Sequence, residues 1–91
     1  MKVVELFQDE SNWTQLALAR NINGESIDPN SPDAVCWCLQ GAIMRCYSID
    51  ERGINMRICG FHTESGSLML FNDRLGRTFQ EVKDLVTIAG I

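Results

Sequence analysis

The stretch from Ser31 to Ile49 constrains the fold more than any other part of the chain. Its opening, Ser31-Pro32-Asp33, is typical of a helix start: serine caps the first turn, proline has its φ preset, and an acid suits the positive end of the helix dipole. Beyond it, only Gln40, Arg45 and Ser48 interrupt an apolar surface. A helix that is apolar on most sides is enclosed by its neighbours. The sequence therefore predicts a central buried helix at about 31–49.

The residues before this helix predict a short helix and a β-hairpin. Apolar side chains with helical spacing indicate a first helix over about 2–10. From residue 13 to residue 22 apolar and polar side chains alternate, as in a strand. Asn23-Gly24 follows, a dipeptide that favours a two-residue type I′ turn. Such a turn places Arg20 opposite Ile27, and we expect a hairpin at about Gln15–Asp28.

Three further elements follow the central helix. Residues 50–60 fit both a strand and a helix, and we favour a short helix that ends at Gly60. Thr63–Ser67 is predicted to be a loop, and Leu68–Phe71 a short buried strand or extended segment. Thr78 and Glu81 form a Thr-x-x-Glu capping box, which predicts a helix at Phe79–Ala89. Residues 1–91 are thus expected to form one α+β domain that is mostly helical.

Composition and charge narrow the class of protein. The chain has 91 residues and a net charge of −4. The first 33 residues carry six acidic and two basic side chains, and this excess repels phosphate backbones, so nucleic acid is not expected as a partner. No apolar stretch is long enough to span a membrane, and the first residues lack the pattern of a signal peptide. We therefore expect a cytoplasmic protein with no membrane partner.

The cysteines and the single histidine do not form a recognisable site. Cys36-Trp37-Cys38 falls inside the predicted helix, where residues two apart point away from each other and cannot hold one ion. Paired C-x-x-C knuckles are absent, so free thiols that pack as small apolar groups are expected, with no metal and no cofactor. His62 has no accompanying nucleophile motif. No catalytic residue is predicted.

The most concentrated polar cluster is Asn72-Asp73-Arg74 with Arg77. One interpretation is structural, with Asn and Asp capping a turn and the arginines paired with nearby acids. The other is a binding corner for an anion or a protein partner, with Arg74 and Arg77 as donors. Trp13 is a further candidate partner contact at the hairpin edge, whereas Trp37 is assigned to the core.

Four groups of short motifs cover most of residues 13–89 in a fixed order. They are Trp13-Thr14-Gln15 with Ala19-Arg20 and Asn23-Gly24; Ala34 with Trp37-Cys38-Leu39 and Gly41-Ala42-Ile43; Phe71-Asn72-Asp73; and Arg77-Thr78 with Glu81-Val82. With these motifs the chain resembles a family of small bacterial and bacteriophage proteins classed as a domain of unknown function, in which Trp-Asn-Asp is commoner than Phe-Asn-Asp. The resemblance implies a shared fold and carries over no activity. Residues 50–67 match it poorly.

The leading hypothesis is a small, non-enzymatic accessory module that binds another protein. One version of this hypothesis is a phage-encoded module that occupies a surface on a larger host or phage protein. One alternative is a metal- or ligand-binding, enzyme-like domain that uses Cys36, Cys59 and His62 brought together by folding. Another is a self-assembling structural component. The sequence leaves the oligomeric state open.

Overall fold

A computed structural model of the chain describes residues 1–63 and 66–91. These residues form, in order, α1 (Val3–Leu6), β1 (Ala19–Arg20), β2 (Cys36–Trp37), α2 (Leu39–Cys46), α3 (Ile49–Gly60), α4 (Leu68–Asp73) and α5 (Phe79–Ala89), with one 3-10 turn at Glu10–Asn12. The two strands are antiparallel, with Ala19 opposite Trp37. The predicted class, a mostly helical α+β fold with a C-terminal helix, is confirmed.

The central helix starts later than the sequence pattern predicted. α2 begins at Leu39, whereas the prediction placed the start at Ser31. Ser31 does cap a local turn, because its Oγ accepts a hydrogen bond from the backbone N of Asp33 at 3.1 Å. The chain then extends, since Cys36–Trp37 pairs with β1. Strand pairing therefore overrides a local helix-start signal.

The predicted burial of the central helix is confirmed. Leu39, Ala42 and Ile43 each have 0% of their surface exposed. Helices α1, α3 and α4 all contact α2, so the core forms around it. The carbonyl of Ile91 accepts a hydrogen bond from the backbone N of Val3 at 2.6 Å, which joins the two ends of the chain against this core.

The hairpin differs from its prediction in register and in strand partner. Gly24 has φ +81°, but Asn23 lacks the positive φ that the predicted type I′ turn also requires. The side-chain Oδ1 of Asn21 accepts from the backbone N of both Asn23 and Glu25 at 3.0 Å, which makes the loop longer than two residues. Arg20 consequently bridges to Ser26 instead of Ile27. The predicted hairpin at 15–28 is reduced to this bridge, and β2 supplies the second strand.

The segment predicted as a short strand at 68–71 is helical. In α4, the Oγ of Ser67 accepts from the backbone N of Leu70 at 3.3 Å and so caps the first turn. Leu68 is buried, whereas Met69 and Leu70 are exposed. A run of four apolar residues has no period that separates strand from helix, so the prediction was wrong. The predicted loop at 63–67 includes residues 64 and 65, which lie outside the described residues.

The remaining helices follow the sequence closely except at the N-terminus. The helix that ends at Gly60 and the capped helix Phe79–Ala89 are both confirmed. The predicted first helix over 2–10 stops at Leu6. A separate 3-10 turn follows at Glu10–Asn12, where Oδ1 of Asn12 accepts from the backbone N of Asp9 at 3.1 Å. In the described part of the chain, no helix has the length and apolar character needed to cross a membrane.

Candidate functional site

Asn72 joins three parts of the chain inside the molecule. It is only 1% exposed. Its Oδ1 accepts from the indole Nε1 of Trp13 at 2.8 Å and from the backbone N of Leu39 at 3.0 Å. Its Nδ2 donates to the carbonyl of Thr14 at 3.1 Å and to Oδ1 of Asp73 at 2.9 Å. All four hydrogen-bonding positions of the amide are therefore used within the chain.

The residues after Trp13 are held against the end of α4. Nε2 of Gln15 donates to the carbonyl of Asn72 at 2.8 Å, and Oδ1 of Asp73 accepts from the backbone N of Leu16 at 3.0 Å. Leu16 has φ +65°, a left-handed conformation that costs a leucine about 1–2 kcal/mol. Its side chain is nevertheless 78% exposed. Leu16 therefore has an unfavourable backbone conformation, and its apolar side chain lies outside the core.

Gly41 lets the same segment lie directly on α2. A Cβ built at Gly41 would be only 1.9 Å from the carbonyl oxygen of Leu18, well inside any permitted contact. That carbonyl also accepts from the backbone N of Cys38 at 3.1 Å. Because Gly41 has no side chain, the segment 16–18 can lie against α2 at this position.

These contacts enclose a cavity of about 240 Å³ between residues 16–18 and α4, which we call the Leu16 pocket. Its lining is mostly apolar and includes Leu16, Leu18 and Met69. Cys38, Asn72 and Asp73 supply polar atoms. The pocket therefore combines aliphatic side chains, which suit an aliphatic group, with one carboxylate that can orient it.

In the described part of the chain, only one of the two carboxylate oxygens of Asp73 accepts hydrogen bonds. Oδ1 accepts from Leu16 and Asn72, and no group among residues 1–63 and 66–91 donates to Oδ2. In this same part of the chain, every buried side-chain nitrogen or oxygen has a hydrogen-bond partner. Oδ2 is therefore open to solvent and free to accept from an incoming group.

Cys38 lines the pocket as a neutral thiol. Its Sγ caps α2 by accepting from the backbone N of Gly41 at 3.2 Å. Burial raises the pKa of the Cys38 thiol and the negative charge of Asp73 raises it further, against the opposing effect of the Gly41 hydrogen bond. Since the thiolate is the reactive form of cysteine, Cys38 is a weak nucleophile.

The predicted corner of Arg74 and Arg77 lies between α4 and α5, and neither residue lines the Leu16 pocket. Arg77 donates from Nε to the carbonyl of Phe71 at 2.8 Å, lies 3.8 Å over the Phe71 ring and pairs with Glu81 at 3.0 Å. Arg74 is exposed and lines a separate depression that also contains Arg77 and Glu81. Arg77 thus has the structural role that the first interpretation gave it.

The two tryptophans differ as the sequence suggested. Trp37 is 6% exposed and its Nε1 donates to the carbonyl of Pro29 at 2.9 Å, which confirms its assignment to the core. Trp13 is half-buried, packs against Phe79 with ring centroids 6.4 Å apart and gives its N–H to Asn72. The structure therefore brings Trp13, Asn72 and Asp73 together. Trp13 and Asn72 hydrogen-bond to each other and so stabilise the fold.

Two of the cysteines, Cys36 and Cys38, lie outside the helix in which they were predicted. Cys36 lies on β2 and Cys38 caps α2, so the expectation that both point apart inside one helix was wrong. Cys59 is buried in α3 and His62 is exposed after it. Within residues 1–63 and 66–91, no three His, Cys, Asp or Glu side chains are grouped so that they could hold a metal ion.

Five residues of the Leu16 pocket were not candidates from the sequence: Leu16, Ala17, Leu18, Cys38 and Met69. The alternating pattern at 13–22 gave no sign of a positive φ at Leu16, and Met69 was assigned to a buried strand. Comparison with protein families, curated proteins and solved structures found nothing that matches this chain. The resemblance to the uncharacterised family stays a prediction.

Proposed function

We propose that this protein is a non-enzymatic binding module, and that it binds another protein by taking one long aliphatic side chain into the Leu16 pocket. The observation that carries the proposal is the conformation of Leu16. A non-glycine residue at positive φ costs energy, and such residues concentrate at functional sites. Here the strained residue presents an exposed leucine at the mouth of a cavity.

The surroundings of the pocket support a protein partner. Met69 and Leu70 are 53% and 66% exposed on α4, and Met69 lines the pocket together with Leu16. Methionine has flexible, polarisable side-chain atoms that adapt to differently shaped apolar partners. Contiguous exposed apolar side chains around a cavity are typical of binding surfaces.

The chemistry of the pocket favours binding over catalysis. Its thiol, Cys38, is held neutral, and Asn72 has no free hydrogen-bonding position. Asp73 is the remaining polar group, and one carboxylate without a partner acid, base or nucleophile lacks the set of roles that an acyl- or group-transfer site needs. A recognition role needs only shape, apolar area and one orienting polar group.

A titration with a minimal probe tests the proposal. The probe is acetyl-Ala-norleucine-Ala-amide, whose middle side chain is a straight aliphatic chain, and the readout is the methyl NMR spectrum. We expect saturable shifts at the methyls of Leu16, Leu18 and Met69, with a dissociation constant on the order of 1 mM, as for a small ligand in an apolar cavity. Failure of these methyls to shift at about 10 mM probe would contradict the proposal.

Two variants test whether the probe binds in the Leu16 pocket. Ala17 lines the pocket, so Ala17→Phe fills it and is expected to abolish the shifts while the rest of the spectrum stays folded. Leu75→Phe adds the same ring at a side chain that is 99% exposed and outside the pocket. It is expected to bind the probe as the wild type does.

A further inference from the structure

We infer that the side chain entering the Leu16 pocket is a lysine or arginine of the partner protein, with its aliphatic stem against Leu16 and Met69 and its charged end at Oδ2 of Asp73. This inference rests on the proposed function and adds the chemistry of the occupant.

The lining of the pocket is the first argument. Lysine and arginine pack their methylene stems on apolar surface and place the charge where it finds a polar partner. A leucine or methionine in the same position covers the Asp73 carboxylate without giving it a donor, which removes water from a charge and leaves it unpaired. A cationic end provides that donor.

Among residues 1–63 and 66–91, no lysine or arginine forms a salt bridge with Asp73. In the described residues the only ion pair joins Arg77 to Glu81. Arg74, the neighbour of Asp73 in sequence, lines the separate depression beside Arg77. Oδ2 of Asp73 therefore faces solvent with its charge uncompensated by a salt bridge.

The exposed charges give the second argument. Among residues 1–63 and 66–91, ten acidic side chains but only three basic ones are exposed. The other five basic side chains are half-buried and donate to backbone carbonyls of the chain itself: Arg20, Arg45, Arg52, Arg77 and Lys83. The surface that a partner meets is thus more acidic than the net charge of −4 indicates. Such a surface attracts a basic partner and repels an acidic one.

Two matched probes test the inference. Acetyl-Ala-Lys-Ala-amide and acetyl-Ala-norleucine-Ala-amide share the same aliphatic stem and differ in the ammonium group. Followed by the methyl shifts of Leu16 and Met69 at low salt, the lysine probe is expected to bind about tenfold tighter, as for a partly desolvated charge pair. Equal affinities would overturn the inference and leave the proposed function intact, whereas the absence of binding by both would overturn the proposed function.

Two variants test whether the charge of Asp73 causes the preference for the lysine probe. Asp73→Asn keeps an Oδ1 that accepts from Leu16 and removes the charge, so the tenfold preference is expected to fall to about twofold or less. Asp33→Asn removes the same charge from an exposed side chain outside the pocket and is expected to keep the preference. An equal loss in both variants would show diffuse attraction to the acidic surface and would overturn the inference.

A third probe separates a protein segment from a free amine. n-Butylamine offers the stem and the ammonium of lysine without a backbone. We expect it to bind at least about fivefold more weakly than the lysine probe, since the peptide backbone and the flanking alanines add contacts that the free amine lacks. Equal binding of n-butylamine would assign the pocket to a small amine and contradict docking of a protein side chain.

Discussion

The indole Nε1 of Trp13 donates to the side-chain Oδ1 of Asn72 at 2.8 Å, across 59 residues of sequence. The same oxygen accepts from the first backbone N–H of α2, at Leu39. One buried amide therefore fixes the N-terminal segment, the central helix and α4 relative to each other. Through its neighbour Asp73, this junction also sets the conformation of Leu16.

Asn72→Asp tests this junction with almost no change of shape. The substitution replaces the donor Nδ2 by an oxygen that faces the carbonyl of Thr14, and it adds a charge beside Asp73. We expect a loss of about 3 kcal/mol in the free energy of unfolding, measured by urea denaturation. Asn30→Asp makes the same change at an exposed site and is expected to cost less than about 0.5 kcal/mol. Similar losses in both variants would argue against a buried junction.

The contact between Gly41 and Leu18 predicts an asymmetry between two glycines in helices. Gly41→Ala places a Cβ against the Leu18 carbonyl and is expected to destabilise the protein by at least about 2 kcal/mol. Gly53→Ala, in α3, meets nothing within 4 Å, so its better helix propensity is expected to stabilise by up to about 1 kcal/mol. Thermal unfolding of both variants checks this. A Gly41→Ala protein as stable as the wild type would mean that residues 16–18 do not lie on α2.

The cap of α5 predicts sensitivity to acid. Hydrogen bonds from the backbone N–H and the hydroxyl of Thr78 hold the pKa of Glu81 below its ordinary value of 4.5, with a smaller effect of Arg77. A lowered pKa in the folded state stabilises the fold above pH 4.5, and this stability is lost as the pH falls through the folded pKa. Between about pH 5 and 3, unfolding free energy is therefore expected to fall less steeply in Glu81→Gln than in the wild type. Parallel curves for Glu81→Gln and the wild type would contradict the role of this carboxylate in the cap of α5.

The buried thiol of α3 predicts sensitivity to alkali. Burial raises the pKa of Cys59 from 9.0 to about 12. A raised pKa means that the stabilisation is complete below pH 9.0 and is lost as the pH rises towards 12. Under reducing conditions, we expect the unfolding free energy of the wild type to decrease above pH 9.0, and that of Cys59→Ala to decrease less. Parallel curves for the two proteins would contradict a desolvated thiol at this position.

Local signals in the sequence were sufficient where the interactions are local. Thr78 and Glu81 bond to each other's backbone three residues apart, so α5 and its cap were predictable. The late start of α2 was not, because Cys36–Trp37 is drawn into a strand by Ala19–Arg20. The pocket could not be predicted either, because the conformation of Leu16 depends on a hydrogen bond to the carboxylate of Asp73, 57 residues away. Of the candidates from the sequence, Asn72 and Asp73 line the pocket, and Asp73 is the one of these two that keeps an oxygen to which no described group donates.

Leu16→Gly is the decisive variant for the proposed pocket, because it separates the stability of the protein from its binding of the probe. Glycine adopts a positive φ without strain but removes the apolar side chain at the pocket mouth. We expect the free energy of unfolding to rise by about 0.5 kcal/mol, while the norleucine probe binds at least about fivefold more weakly. Leu75→Gly, at the 99% exposed leucine, serves as the control that leaves probe binding unchanged. A Leu16→Gly protein that is destabilised by about 1 kcal/mol, with unchanged probe affinity, would show that Leu16 stabilises the fold and would overturn its proposed role in binding.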